Sequence, residues 1–269
     1  MSQPYILGVE DDETNRLAQQ HEVWEQDTQT IYKMAGFSQG QTVLDLGCGP
    51  GLTTFDLHKI VGQSGHVTAI DASEKFTQIL SNRCKKENIT NIDVQCKDVY
   101  DLDLPKSSLD NAFARWLFCF LNEPETLVQH VSQALKPNGT FAILDYINYQ
   151  AIGLQPPSES FNRIFDAVFK SFHNNGGGLN IGGYLPRYLS QAGLQVEQIE
   201  PICYTVRPNS PIWNWVQTFQ DIYVSTLVDE YFSQEEFDTF KSEWHDRSQD
   251  PNTFLFSPPM IKIVARKYD

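Results

Sequence analysis

Two hydrophobic periods alternate along most of the chain. Short apolar runs bounded by turn residues predict strands at residues 42–46, 66–70, 92–96, 109–114 and 140–146. Apolar residues spaced three or four positions apart predict intervening helices at residues 53–61, 73–87 and 123–135. Strands that alternate with helices of this length form a mostly parallel sheet with helices on both faces. The pattern therefore predicts an α/β fold with a doubly wound sheet.

A helical segment precedes this alternation, and two looser blocks interrupt it. Apolar positions predict further helices at residues 11–36, 158–172 and 184–191, and further strands at 196–206 and 259–265. Both looser blocks follow the carboxyl end of a strand, where ligands bind in open α/β sheets. We therefore expect a helical lead-in at 1–39, a core at 40–147, a first cap insertion at 148–181, continued core at 182–206, a second cap insertion at 207–253 and the final core strand at 254–269.

Composition restricts the partners of the chain. The formal net charge is −14, and no run rich in Lys or Arg suits a phosphate backbone or an anionic membrane surface. No segment approaches the roughly 18 apolar residues of a membrane span, and the N-terminus does not resemble a secretory signal. The five cysteines are scattered without a C-x-x-C pair. We expect a cytoplasmic protein that acts on a small molecule and binds neither nucleic acid nor membrane; its oligomeric state stays open.

A glycine-rich turn directly after the first predicted strand is the most informative stretch. Gly47, Gly49 and Gly51 stand at alternate positions, which lets the chain turn sharply and lets a ligand approach the backbone. Asp71 stands at the tip of the next predicted strand, 22 residues after Gly49. That spacing is close to the roughly 20 residues that separate a nucleotide-binding loop from the acid that binds ribose hydroxyls. The pair predicts a site for a nucleoside cofactor.

The details of the turn favour one kind of cofactor over another. A dinucleotide loop has the form G-x-G-x-x-G, whereas the third glycine here comes one residue early. Pro50 removes one N–H donor from the turn, and Asp45 adds negative charge that suits an ammonium group better than a pyrophosphate. These features favour a cofactor with an amino-acid tail over one with a pyrophosphate. An NAD(P)-dependent oxidoreductase remains the alternative enzyme class.

At this point the chain resembles the class I S-adenosylmethionine-dependent methyltransferases that act on small molecules. The stretch from Val43 to Gly51 resembles their first motif. Four later stretches resemble further parts of the family pattern: Asp71-Ala72-Ser73, Lys97-Asp98-Val99, Asp110 to Arg115 and Leu135 to Thr140. The resemblance covers about residues 40–147. It implies a Rossmann-like sheet of seven strands with the last strand antiparallel, S-adenosyl-L-methionine as the cofactor, and methyl transfer as the reaction.

The resemblance also implies which residues bind the cofactor. The turn residues Gly47, Cys48, Gly49, Pro50 and Gly51, together with Asp45, correspond to the site of the amino-acid tail. Asp71 and Ala72 correspond to the ribose site, and Asp98 and Val99 to the adenine site. Arg115 and Trp116 are expected near the methyl group, and Gln20 in the lead-in helix is expected to close over the cofactor.

The chemistry needs alignment of the reactants more than it needs a strong base. Methyl transfer from a sulfonium is an in-line displacement, and a base is required only when the acceptor must lose a proton. The candidate bases are His173, His245, Tyr146, Tyr149 and Asp145, of which we select His173 and Tyr149. No metal is expected. We predict methylation of a small organic molecule at oxygen, nitrogen or carbon; a non-catalytic regulator that binds S-adenosylmethionine is the second alternative.

Overall fold

The computed structural model describes residues 7–8 and 11–268. Its helices are α1 (Asp11–Val23), α2 (Glu25–Met34), α3 (Leu52–Val61), α4 (Glu74–Lys86), α5 (Pro124–Ala134), α6 (Glu159–Asn174), α7 (Leu185–Gln191), α8 (Pro211–Ile222) and α9 (Gln234–Gln249). Its strands are β1 (Thr42–Leu46), β2 (His66–Asp71), β3 (Ile92–Cys96), β4 (Leu109–Arg115), β5 (Leu135–Tyr146), β6 (Gly153–Gln155), β7 (Leu194–Ile202), β8 (Thr205–Val206), β9 (Phe254–Phe256) and β10 (Met260–Lys267).

Seven strands form the main sheet in the order β3-β2-β1-β4-β5-β10-β7. Strands β1 to β5 pair in parallel, whereas β10 lies antiparallel between β5 and β7. The prediction of a doubly wound sheet whose last strand is antiparallel is therefore confirmed. The strand order reverses between β1 and β4, which creates a crevice at the carboxyl ends of the strands.

Helices cover both faces of this sheet, so the central strands are apolar and buried. In β1, Val43, Leu44 and Leu46 have no exposed surface. Helices α3 and α4 pack on β1, β2 and β3, while α2 and α5 pack on β5. A central parallel strand is covered on both faces, which is why its sequence reads as a continuous apolar run rather than an alternating one.

The lead-in differs from the single helix predicted at residues 11–36, because the structure divides it at Trp24. This residue leaves the helical conformation with φ −108° and ψ 15°. Its fully buried ring packs against Trp116 and Trp215, with ring centroids 6.4 and 5.4 Å away. Tertiary packing of one large aromatic side chain thus overrides the helical periodicity of the segment.

A second, three-stranded sheet of order β6-β9-β8 was not predicted. The strand predicted at 196–206 ends at Ile202, and residues 205–206 pair with β9 instead. Residues 254–256, which we expected in the final core strand, also belong to this small sheet, and the core strand begins at Met260. Among the described residues, no helix has both the length and the apolar character needed to cross a lipid bilayer.

Candidate functional site

A cavity of about 690 Å³ lies at the edge of the main sheet where its parallel strands end. Its volume is within the range of small-molecule sites. Strands β3, β2, β1, β4 and β5 each contribute a residue at or just after their carboxyl ends, namely Asp98, Asp71, Gly47, Trp116 and Tyr146. Because parallel strands direct their carboxyl ends to one edge, residues that are distant in sequence meet there.

The glycine turn after β1 forms the floor of the cavity. Gly49 has φ +53°, and a Cβ atom added to it would meet nothing within 4 Å, so this part of the backbone faces open space. Gly51 has φ +92°, and a Cβ atom there would overlap a methyl carbon of Leu80. Gly49 therefore leaves room for a ligand, whereas Gly51 lets α3 pack closely against α4.

Asp71 lies beside this turn, and two backbone groups hold its carboxylate. Gly49 N–H donates to Oδ2 and Ser73 N–H donates to Oδ1, both at 2.8 Å. Burial raises the pKa of Asp71, while these two hydrogen bonds oppose the rise. Each carboxylate oxygen keeps a further acceptor site, so the side chain can bind hydroxyl groups of a ligand in the cavity.

Asp45 lies behind the glycine turn rather than on the cavity wall. It is 1% exposed, and its Oδ2 accepts hydrogen bonds from the hydroxyls of Thr53 at 3.0 Å and Thr54 at 2.7 Å. Burial raises its pKa to about 6, although the two threonine hydrogen bonds oppose the rise. Asp45 thus joins the end of β1 to the first turn of α3 and shapes the turn from below.

The half of the cavity over β4 and β5 is predominantly aromatic. Its wall contains Trp116, Phe120, Tyr146, Tyr149, Phe172, Trp215 and Phe219. The rings of Tyr146 and Tyr149 meet edge to face with centroids 5.0 Å apart. Burial raises the pKa of both hydroxyls well above the usual tyrosine value, so both stay protonated at neutral pH.

Helix α1 contributes a buried polar cluster to the same half, which sequence reasoning missed apart from Gln20. Arg16, 3% exposed, forms hydrogen bonds with both carboxylate oxygens of Glu13 at 2.6 and 2.7 Å and with Gln20 Oε1 at 2.6 Å. Trp215 Nε1–H donates to the same Gln20 oxygen at 2.9 Å. The spacing of Glu13, Arg16 and Gln20 on one helix face was the available signal.

Arg115 and Trp116 join the two halves of the cavity. The guanidinium of Arg115 donates to Thr28 Oγ1 at 2.8 Å, contacts His21 Nδ1 at 3.2 Å, and lies over the Trp116 ring at 4.7 Å. Trp116 has φ +50°, an unusual conformation for a bulky residue. Its indole N–H donates to the sulfur of Met260 at 3.1 Å, so β10 holds the ring in place.

Comparison with known proteins identifies the type of domain that forms this cavity. Residues 43–139 match a family model described as a methyltransferase domain. An uncharacterized 37.1 kDa protein in transposon TN4556 of Streptomyces fradiae is 28% identical over 169 residues, which cover 62% of this chain and 47% of that protein. The demethylmenaquinone methyltransferase of Lactococcus lactis subsp. lactis (strain IL1403) is 29% identical over 154 residues, 56% of either chain. The chain thus spans about half the length of these curated relatives.

A solved structure supports the same type of fold. Phosphoethanolamine N-methyltransferase 2 of Haemonchus contortus aligns with 95% of this chain, over 57% of its own length, at a TM-score of 0.59 and 18% identity. The family match and the seven-strand order with its antiparallel strand together decide the type of domain. The chain contains a class I methyltransferase domain.

Most of the residues predicted to bind the cofactor line the cavity of this methyltransferase domain. They are Gln20, Gly47, Cys48, Gly49, Pro50, Asp71, Ala72, Asp98, Val99, Arg115 and Trp116. Asp45 and Gly51 do not line the cavity, because their groups are engaged behind the turn with α3 and α4. Their contact with the cofactor stays a prediction, and in the structure both residues shape the turn.

The structure separates the two selected catalytic candidates of the methyltransferase domain. Tyr149 lines the main cavity, whereas His173 is exposed and lines a neighbouring cavity of about 290 Å³ beside the turn Gly176–Gly178. The position of His173 at the outer end of α6 is what turns it away from the site. Within residues 7–8 and 11–268, no histidine lines the main cavity.

The remaining base candidates also differ in position. Tyr146 lines the main cavity, and His245 is exposed on α9, away from it. Asp145 is fully buried behind the wall, where it accepts hydrogen bonds from the N–H groups of Phe118 at 2.9 Å and Tyr146 at 2.8 Å, and burial raises its pKa to about 7. The described residues contain no group of three or more His, Cys, Asp or Glu side chains arranged to hold a metal ion.

Proposed function

We propose that this domain binds S-adenosyl-L-methionine and transfers its methyl group to a small organic molecule. The observation that carries the proposal is the carboxylate of Asp71, held against the N–H of Gly49 at the floor of the cavity of a methyltransferase domain. The cofactor supplies a methyl group that its sulfonium already activates for displacement. The protein residues therefore need to bind, orient and exclude water.

The polar half of the cavity suits the nucleoside part of this cofactor. Asp71 has free acceptor sites for the two ribose hydroxyls, and Gly49 leaves its backbone open to a ligand. Asp98 accepts a hydrogen bond from Tyr100 N–H through Oδ1, so its other oxygen is available to an exocyclic amine. Val99, 6% exposed, offers an apolar surface to a flat base.

The lead-in helix and α8 close the other side of the cavity. Besides the hydrogen bond between Trp215 and Gln20, the hydroxyl of Thr218 donates to Gln19 Oε1 at 2.8 Å. These contacts join two segments that are about 200 residues apart in sequence. The closure limits access of water to the reacting atoms, which strengthens electrostatic interactions in the site.

The acceptor belongs in the aromatic half. Since burial keeps the hydroxyl of Tyr149 protonated, its proposed role is to orient the acceptor rather than to remove a proton. The relative from Lactococcus lactis acts, by its name, on demethylmenaquinone; for this chain we propose only a small organic acceptor. The charge of −14 and the five unpaired cysteines favour a cytoplasmic protein whose acceptor is not a nucleic acid.

Two measurements test the proposal. Calorimetry should detect binding of S-adenosyl-L-methionine and of its demethylated product, S-adenosylhomocysteine. Incubation of a cell extract with the protein and a cofactor carrying a deuterated methyl group should yield a small molecule whose mass increases by the label. Absence of binding of both nucleosides would refute the proposal, and binding of NAD(P)H in their place would favour an oxidoreductase. Binding without any labelled product would favour the non-catalytic regulator.

A further inference from the structure

Two tyrosine hydroxyl groups in the aromatic half of the cavity have no hydrogen-bond partner among the described residues. Tyr146 and Tyr149 line the cavity and are only 8% and 4% exposed. Within the described part of the chain, neither hydroxyl takes part in a hydrogen bond. A hydroxyl that no protein group engages keeps its donor and acceptor capacity for a ligand that enters the cavity. These two hydroxyls are therefore placed to bind a polar atom of a ligand.

A third donor lies in the same region. The oxygen of the Gln20 amide accepts two hydrogen bonds, from Arg16 Nη1 at 2.6 Å and from Trp215 Nε1 at 2.9 Å. Since both neighbours are donors, the amide cannot rotate by half a turn without loss of both bonds. The NH₂ group is thereby fixed on the other side, and none of the described residues accepts from it. Gln20 lines the cavity together with the two tyrosines.

The charges around these donors decide which ligands they suit. The positive charge of Arg16 acts on both tyrosine hydroxyls, and Glu13 balances it at 2.6 and 2.7 Å. The carboxylates on the cavity wall, Asp71, Glu74 and Asp98, stand at the ends of β2 and β3 or just after them, on the far side of β1 and β4. The aromatic half therefore presents hydrogen-bond donors and no free carboxylate among the described residues, which favours an acceptor that offers an oxygen atom to these donors.

We propose that Tyr146, Tyr149 and Gln20 together bind an oxygen atom, carbonyl or phenolate, of a flat and otherwise apolar methyl acceptor. The aromatic wall supplies faces for a flat molecule, and three neutral donors line the same cavity, two of them on rings whose centroids are 5.0 Å apart. The inference rests on the proposed methyl transfer, because it names the acceptor for that same cavity. It moves Gln20 from the cofactor, where the family resemblance put it, to the acceptor.

The test uses simple probes and the full chain with S-adenosylhomocysteine bound. 2-Naphthol carries the flat apolar body and one oxygen, naphthalene lacks the oxygen, and phenyltrimethylammonium carries a positive charge instead. Calorimetry should give the tightest binding for 2-naphthol. Equal or tighter binding of naphthalene or of the cation, or no binding of 2-naphthol, would overturn the proposal. Calorimetry of S-adenosylhomocysteine alone tests the proposed function separately, so the two failures are distinguishable.

Single substitutions of the two tyrosines test whether their hydroxyl groups bind the oxygen of 2-naphthol. Tyr146→Phe and Tyr149→Phe should each weaken binding of 2-naphthol by about three- to tenfold, the effect of one lost hydrogen bond. Neither should lower Tm, because the hydroxyl that is removed has no partner among the residues that the structure describes. The matched control is Tyr223→Phe, since the Tyr223 hydroxyl is buried but bonded to Ser171 at 2.6 Å outside the cavity. That variant should lower Tm and leave 2-naphthol binding unchanged. Unchanged 2-naphthol affinity in both cavity variants would overturn the assignment.

Discussion

The carboxylate of Asp71 accepts a hydrogen bond from the backbone N–H of Gly49 at 2.8 Å, although 22 residues separate them in sequence. The bond joins the ends of β1 and β2, which pair in parallel so that Asp45 is opposite Ala69 and Leu46 opposite Ile70. One side chain thereby orders the glycine turn and still offers acceptor sites to a ligand. Binding at this point is consequently sensitive to both residues.

Removal of the Asp71 carboxylate should weaken cofactor binding. We expect Asp71→Ala to lower the affinity for S-adenosylhomocysteine at least about tenfold, because two charge-assisted hydrogen bonds to ribose are lost. The hydrogen bond from Gly49 N–H, which orders the turn, is lost as well. Calorimetry measures the change. The control is Asp93→Ala, which removes an exposed carboxylate from neighbouring β3. Equal affinity of the Asp71 and Asp93 variants would contradict the site assignment.

A methyl group at Gly49 should reduce the space for the cofactor without preventing the protein from folding. Gly49→Ala places a Cβ where nothing lies within 4 Å, so the protein should fold while cofactor affinity falls by about tenfold or more. Gly193→Ala is the matched control, because Gly193 also has positive φ and an open Cβ position but lies after α7. Both variants should lose a similar amount of stability, of order 1 kcal/mol. Loss of affinity in the Gly193 variant as well would contradict a local effect.

Gly51 should respond differently from Gly49. In Gly51→Ala the new Cβ would overlap the buried side chain of Leu80, so Leu80 must change its rotamer or α3 and α4 must separate. We expect a loss of about 1–3 kcal/mol of unfolding free energy beyond the cost of positive φ alone. Gly36→Ala supplies that reference cost, since Gly36 has φ +72° and nothing near its Cβ position. Urea unfolding of the two variants measures the difference, and equal losses would refute the packing argument.

Asp45→Asn should stabilise the protein more at neutral pH than in mild acid. The pKa of Asp45 rises from 3.8 to about 6 on folding, so the folded state binds its proton more tightly and wild-type stability falls as the pH rises between these values. An asparagine oxygen can still accept from Thr53 and Thr54, which donate to one oxygen of Asp45. The advantage of the variant should grow by about 2–3 kcal/mol from pH 4 to pH 7.

Urea unfolding at several pH values measures the difference in unfolding free energy between Asp45→Asn and the wild type. A difference that does not change with pH would contradict the prediction. Asp145→Asn supplies the contrast. Both oxygens of Asp145 accept from backbone N–H groups, those of Phe118 and Tyr146. An amide would direct its NH₂ at one of these donors, so at pH 4, where both carboxyls are protonated in the folded state, Asp145→Asn should be about 1–3 kcal/mol less favourable than Asp45→Asn.

The pKa of the His21 imidazole should be far below that of an ordinary histidine. Burial, with the positive charges of Arg115 and Lys59, lowers its pKa from 6.5 to about 4. The folded state therefore binds the proton less tightly than the unfolded state, and wild-type stability falls as the pH drops from 6.5 to 4, by up to about 3 kcal/mol. His21→Gln cannot be protonated and should lack this loss. An NMR titration of the ring measures the pKa directly, with Arg115→Gln expected to raise it; a value near 6.5 in the wild type would contradict the prediction.

Local sequence patterns were sufficient to predict strands β1 to β4 and the helices between them. The apolar runs of β1 to β4 and the helices between them were predicted within one or two residues, because strand and helix periods are properties of neighbouring residues. The placement of the glycine turn and Asp71 at one edge of the sheet followed from spacing, since a turn after one parallel strand and the tip of the next meet there. The hydrogen bond between Gly49 and Asp71 was not predicted.

The second half of the cavity depended on contacts between distant segments. Arg16 and Gln20 reach it from α1, Trp215 from α8 and Tyr149 from the end of β5, and no local period records which helix packs over which strand end. The same reason explains the division of the lead-in helix at Trp24. The amino-acid sequence by itself therefore determined the sheet and the cofactor-type turn, because both arise from local periodicity and turn chemistry. Only the tertiary structure decided which donors face the aromatic half, because packing across the chain sets the direction of each buried side chain.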